Sequence, residues 1–247
     1  MMRLLAMREL RSLFSMPSTW FVVALLQFIL AWFFLALLEA FLGVQPQLAQ
    51  LANPPGVTVT VAVPLFNTAA LLLMMLTPMF TMRLIAEERR NQTLALLLSA
   101  PLAGWQIVLG KFFGLLAFLA LLTCGVPLML YTLASGTALD HGLLFANTVG
   151  LLLLTASYIA LGLYVSALTA QPAIAAIGAL AALAGLWLAD IAATAADSPW
   201  HAISPLHHFQ SFNTGLLDSG DAAFFVLFSA AFLLLAVRRL HNNCIYG

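Results

Sequence analysis

Long apolar runs separated by short polar stretches recur along the chain. A helix needs about 20 apolar residues to cross the hydrocarbon core, and in lipid every backbone polar group must be satisfied within its own segment. Each run therefore predicts a membrane-spanning helix. Six are legible: Thr19 to Leu42, Pro64 to Ala86, Ile107 to Ala134, Gly142 to Ser166, Pro172 to Ile191 and Ala222 to Val237. The expected fold class is an all-α polytopic membrane protein, a single transmembrane domain over 1–247. Ahead of the first span, the pattern changes to an imperfect amphipathic helix within 1–17. At 3.6 residues per turn, Ala6, Met7, Leu10, Leu13 and Phe14 share one face, and Arg8, Glu9, Arg11, Ser12 and Ser15 the other. Arg3, Leu4 and Leu5 break the pattern. Such a helix would lie in the membrane interface, its arginines toward anionic head groups. Between spans five and six, 192–220 is too interrupted to cross yet carries Trp200, Phe209 and Phe212, which suits short interfacial or re-entrant helices.

Composition agrees with this class. Of 247 residues, 63% are hydrophobic and 7% charged, and mean hydropathy is +1.04. That excludes an ordinary soluble domain and a disordered chain. Nine basic and nine acidic residues give zero net charge, so no basic surplus is available to neutralise a nucleic acid. Placement says more than the total. With the amino terminus inside, six crossings put all nine basic residues (Arg3, Arg8, Arg11, Arg83, Arg89, Arg90, Lys111, Arg238 and Arg239) on the cytoplasmic side, as the positive-inside rule expects. Glu39, Asp140, Asp190, Asp197, Asp218 and Asp221 fall on the outer side. The first apolar run is too long for a signal-peptide core and lacks a clear cleavage site, so it reads as a retained span. Cys124 and Cys244 fall at different depths, against a mutual disulfide.

The most informative stretch runs from Arg83 to Lys111. It holds Glu87, Glu88, Arg89 and Arg90, then Thr93 and a leucine-rich run including Leu94, Leu97 and Leu98, far too short to span, closed by Pro101. Thr93 would cap a short helix and Pro101 would end it. The segment 87–106 then has two readings: a cytoplasmic coupling loop whose charges orient a partner and whose leucines fill a groove, or an interfacial turn resting on the bilayer.

Other polar or small positions are candidates for function. Gln27, Glu39 and Asn67 are the polar groups expected within helices one and two, facing protein or a water-filled path; Glu39 could instead reach the outer interface. Gly178 with Ala182, and Ala181 with Gly185 and Ala189, place small residues at four-residue spacing, which permits close helix packing within one bundle or between two protomers. Met75, Met79 and Met82 read as packing residues. Pro78 and Pro127 are expected to kink spans two and three. His201, His207 and His208 invite a metal reading, but with no Cys or Glu beside them they read as interfacial histidines, and no metal or other cofactor is expected in this chain.

Nothing in the sequence binds nucleotide or performs hydrolysis by a familiar motif. GxxxxGK[ST], HExxH and GxSxG are all absent. A membrane enzyme would have to use dispersed residues such as Glu39, His141 and Asp190. A non-transporting membrane anchor or assembly factor is the other rival.

The run from Arg83 to Lys111, the amphipathic start and the segment SPLHHFQSFNTGLLDSG (204–220) before the last span together resemble the ABC-2 type permeases, in particular the subgroup containing the gliding-motility and nitrous-oxide-reductase-maturation permeases. The resemblance implies a multi-pass subunit in a bacterial inner membrane with both termini cytoplasmic. It also implies a second permease protomer, in a homodimer or a related heterodimer, and a cytoplasmic ATPase in two copies that holds the ATP and magnesium. The loop after span two would be the coupling element. Export, or mechanical work on a periplasmic partner, would be the output.

Overall fold

The computed structural model describes residues 2–48, 56–92, 103–135, 137, 139–193 and 200–246. Its helices are α1 (Met2–Ser15), α2 (Pro17–Leu48), α3 (Val63–Met82), the single turn α4 (Glu88–Arg90), α5 (Gly104–Thr123), α6 (Gly125–Tyr131), α7 (His141–Leu168), α8 (Pro172–Ala192), α9 (Pro205–Asn213) and α10 (Ser219–Tyr246). Strands are absent among the described residues. Six segments are long and apolar enough to cross a membrane, the number the hydropathy pattern predicts.

Their ends differ from the sequence reading because polar continuations stay helical. The second span extends through π-helical turns on both sides of α3, Thr58–Ala62 and Arg83–Glu87. The third is interrupted at Cys124, where α5 gives way to α6, three residues before Pro127. Proline lacks the N–H that would have continued the ladder. The last span, expected to end at Val237, continues as helix to Tyr246.

α7 is the most enclosed span, packing against α3, α5, α8, α9 and α10. Small residues set its close approaches: a Cβ on Gly162 would collide with Thr81, and one on Gly150 with Phe212. By contrast, α2, α8 and α10 leave most of their apolar surface exposed, as lipid-facing or partner-facing spans must.

Helix α1 forms as predicted, but its inward face is rotated. Leu5 and Leu13 are buried, Ala6, Glu9, Leu10 and Phe14 are half-buried, and Met7 points outward with Leu4. The face is set by packing against α5 rather than by apolarity alone, so Glu9 turns inward. The α1–α2 corner is fastened by Trp20 Nε1, which donates to the Phe14 carbonyl at 2.7 Å. Phe14 in turn stands edge-on to Phe118 at 5.4 Å.

All the segments that carry the basic residues meet at one end of the bundle. Lys111 lies beside Glu9 and Glu88, Arg83 beside Met16, and Gly104 beside Leu240. The Asp140 N–H donates to Thr58 at the other end, where Asp190 and Asp221 also pair with histidines.

Candidate functional site

Lys111 sits about two turns into α5, among Ile107, Val108 and Phe112, all buried. A charge so placed must be paired, because desolvation without a partner costs several kcal/mol. Its ammonium is 1% exposed as a residue and donates to Glu9 Oε1 and Glu88 Oε1, each at 2.7 Å. One lysine thus joins the amphipathic helix, the third span and the start of the charged loop. Glu9 and Glu88 retain partial solvent contact, with 19% and 25% of their side chains exposed, so the cluster lies at the rim of the bundle.

The loop's entry is held from the other side by Ser166, near the end of α7. Its Oγ accepts from the backbone N–H groups of Ile85 (3.3 Å) and Ala86 (3.0 Å) and donates to the Met82 carbonyl (3.3 Å). The two N–H groups belong to the π-helical turn Arg83–Glu87 and Met82 immediately precedes it; the irregular ladder of such a wide turn profits from a side-chain partner. After Arg90 the chain turns out through Gln92, at φ 58°. Arg89, Arg90 and Gln92 face Gln171 of the α7–α8 turn and Pro172 and Ala173 at the start of α8 across a cleft of about 790 Å³.

Of the predicted coupling residues, Glu87 and Arg89 are half-buried, Arg90 is exposed and Glu88 pairs with Lys111. Thr93, Leu94, Leu97 and Leu98 lie outside the described residues.

Gln27, Glu39 and Asn67 have separate surroundings and are not gathered into one path. Gln27 Nε2 donates to the Leu122 carbonyl at 3.0 Å, beside the break in span three. A Cβ on Gly125 would overlap the Gln27 amide, so the glycine gives the side chain its seat. Asn67 Oδ1 accepts from Gln210 Nε2 at 3.2 Å, tying α3 to α9. Glu39 is exposed on α2.

The small-residue positions on α8 divide. Gly178 faces the same chain, where an added Cβ would lie 3.1 Å from Val165 Cγ1, and Ala182 packs on the core. Gly185 has nothing within 4 Å of such a Cβ and is exposed, as is Ala181.

At the end opposite the basic residues, α9 is seated on the bundle by buried Phe209 and Phe212 and by Asn213 Nδ2, which donates to the Val63 carbonyl at 3.3 Å. Ser204 caps its start and Gly215, at φ 85°, closes it. Gly215 N–H bonds to the Phe212 carbonyl and Leu216 N–H to that of Ser211, the paired bonds of a Schellman ending. The three histidines do have carboxylates beside them. Asp190 meets His201 and His207, and Asp221 meets His208.

The sequence profile of the ABC-2 family transporter proteins matches residues 4–240. The chain belongs to that family. Comparison with curated proteins returns no match. As an ABC-2 permease, the chain is a multi-pass transmembrane subunit of an ABC transporter, a transport component and not a catalytic one. Members of the family generally work with a cytoplasmic ABC ATPase and dimerise.

Lys111, Glu9 and Ser166 escaped the sequence reading as functional positions. Lys111 had a signal, since it interrupts the apolar run Ile107–Phe118 rather than flanking it. Glu9 and Ser166 had none, because their roles come from contacts with residues 102 and 80 positions away.

Proposed function

We propose that this permease receives the work of ATP hydrolysis at the cytoplasmic segment 87–106, and that Lys111 passes the displacement to α1 and α5 together. The observation that carries the reading is the shared ammonium: Lys111 pairs with Glu88 at the mouth of the segment and with Glu9 on the interface helix. A push on the segment must therefore move α1 and the third span or break a desolvated ion cluster. The half-buried Arg89 and exposed Arg90 beside the cleft next to the α7–α8 turn supply charges to orient the ATPase. Residues 94–98 supply the apolar anchors. Two ATPase copies and two permease protomers, in an inner membrane with both termini cytoplasmic, complete the assembly. Its output is export or mechanical work on a periplasmic partner.

The test is copurification of the cognate ATPase with the detergent-solubilised permease, and its hydrolysis rate in the complex. Arg89→Glu with Arg90→Glu, and Leu97→Ala with Leu98→Ala, are expected to reduce ATPase retention tenfold or more while membrane levels hold. Wild-type retention and stimulation in both double variants would overturn the assignment of this segment.

A further inference from the structure

Three side chains from three separate segments converge at the outer end of α8. Asp190 lies in the last turns of α8, His201 in the turn that precedes α9, and His207 in the first turn of α9. Asp190 Oδ1 is 2.7 Å from His201 Nδ1 and 3.4 Å from His207 Nδ1. One ligand atom from each residue fits within a 4.8 Å span. The two imidazoles stack at 4.6 Å and 28°, which aims both Nδ1 atoms at the same carboxylate oxygen. The neighbouring histidine is engaged elsewhere: His208 Nδ1 bonds to Asp221 at 2.6 Å and its Nε2 faces the Ala202 carbonyl at 3.3 Å.

We propose that Asp190, His201 and His207 form a divalent-metal site that takes zinc. Two imidazole nitrogens and one carboxylate oxygen are the donor set of a three-ligand zinc centre, whose fourth position goes to water. Metal–ligand bonds of about 2.0–2.1 Å in a tetrahedron place ligand atoms about 3.3 Å apart. The Asp190–His207 separation already has that length, and the Asp190–His201 separation needs to open by about half an ångström once the ion replaces the hydrogen bond. Each imidazole binds through Nδ1 in its Nε2–H form, so no net proton need leave from a neutral ring. His207, with 48% of its side chain exposed, gives the ion an entry path and room for the water. Charge favours a cation here, because the chain's basic residues lie at the other end. Magnesium and calcium prefer all-oxygen sets and are disfavoured by the two nitrogens. The bound ion would staple the outer end of span five to α9, which Asn67 and Val63 hold against span two.

The experiment uses the full chain, purified in detergent through a tag without histidines, stripped of metal and titrated with zinc by calorimetry. Metal content is then measured after desalting. About one zinc per chain is expected, with affinity falling at least tenfold in His201→Gln, His207→Gln and Asp190→Asn and unchanged in His141→Gln, which alters an outer histidine away from the site. Should the variants lose their monodisperse behaviour, wild-type protein loaded with cobalt decides. Intense visible bands of four-coordinate cobalt, abolished by zinc, support the site. A weak six-coordinate spectrum, no retained zinc in the wild type, or wild-type affinity in the doubly substituted His201→Gln, His207→Gln chain overturns it. None of these readings involves the ATPase, so their outcome is separate from that of the coupling assignment.

Discussion

Gly114 of α5 lies directly beneath Glu9 of α1: a Cβ at position 114 would stand 2.9 Å from the Glu9 Cβ and 3.0 Å from the Ala6 carbonyl oxygen. α1 can lie this close to the third span only because that position has no side chain, and the closeness brings the Glu9 carboxylate to Lys111. Gly114→Leu should lift α1 off α5. The expected result is faster proteolysis and amide exchange in residues 2–15, with the other helices protected as in wild type.

Lys111→Met removes the shared cation and leaves Glu9 and Glu88 facing each other. Breaking such a cluster from one side should cost on the order of 3 kcal/mol. Glu9→Gln or Glu88→Gln, which leaves one charged partner in place, should cost about 1–2 kcal/mol. Thermal inactivation midpoints in one detergent, compared at one scan rate, should rank the variants in that order. Equal midpoints for Lys111→Met and wild type would show the cluster to be energetically idle.

Ser166→Ala withdraws the acceptor that serves the Ile85 and Ala86 N–H groups. Loss of this contact should destabilise the π-turn by about 1–3 kcal/mol. Amide exchange at 85 and 86 is the direct measure and should accelerate, while the α7 core around Leu154 and Tyr158 stays protected. In the ATPase complex, a looser turn should lower stimulated hydrolysis more than it lowers binding.

The two glycines of α8 should behave differently. Gly178→Leu meets Val165 of the same chain and should lower the thermal midpoint of the protomer. Gly185→Leu has open space on the protein's own side, so its midpoint should match wild type while crosslinked dimer decreases. A wild-type dimer fraction in Gly185→Leu would move the interface off this face of α8.

Sidedness has a chemical readout. In a Cys124→Ser, Cys244→Ser background, Asn91→Cys should react with a thiol reagent only after the inner face is opened, and Ser219→Cys should react in intact cells. Labelling of Asn91→Cys from outside would exclude the six-span orientation.

The spans were legible because length and apolarity suffice to specify a helix in lipid, and Pro172 marks one start, whereas the second span begins six residues ahead of Pro64, at Thr58. Ends were less so. Polar residues such as Thr58, Thr60 and Glu87–Arg90 stay helical here, on or beside turns whose contacts with α7 no local pattern records. The inward face of α1 was misread because apolar counting favoured Met7, whereas the third span selects Leu5, Glu9 and Leu13. Asp190 was read as an outer charge and His201 as an interfacial histidine. Their pairing depends on how the chain between them returns to the end of α8, which neither residue type encodes.

The π-helical turn at Arg83–Glu87 has a consequence for angular phase. Relative to an unbroken α-helix, one residue accommodated in a wide turn sets every later side chain back by about 100° around the axis. Glu88 therefore occupies the direction that Glu87 would have taken had α3 run on regularly, and that direction faces Lys111. Which of two adjacent glutamates meets the lysine thus follows from a wide turn that ends at Glu87. Deleting a single residue from the turn, between Leu84 and Ala86, would restore the pitch and leave Glu88 in the same direction, so the pair with Lys111 should survive the deletion.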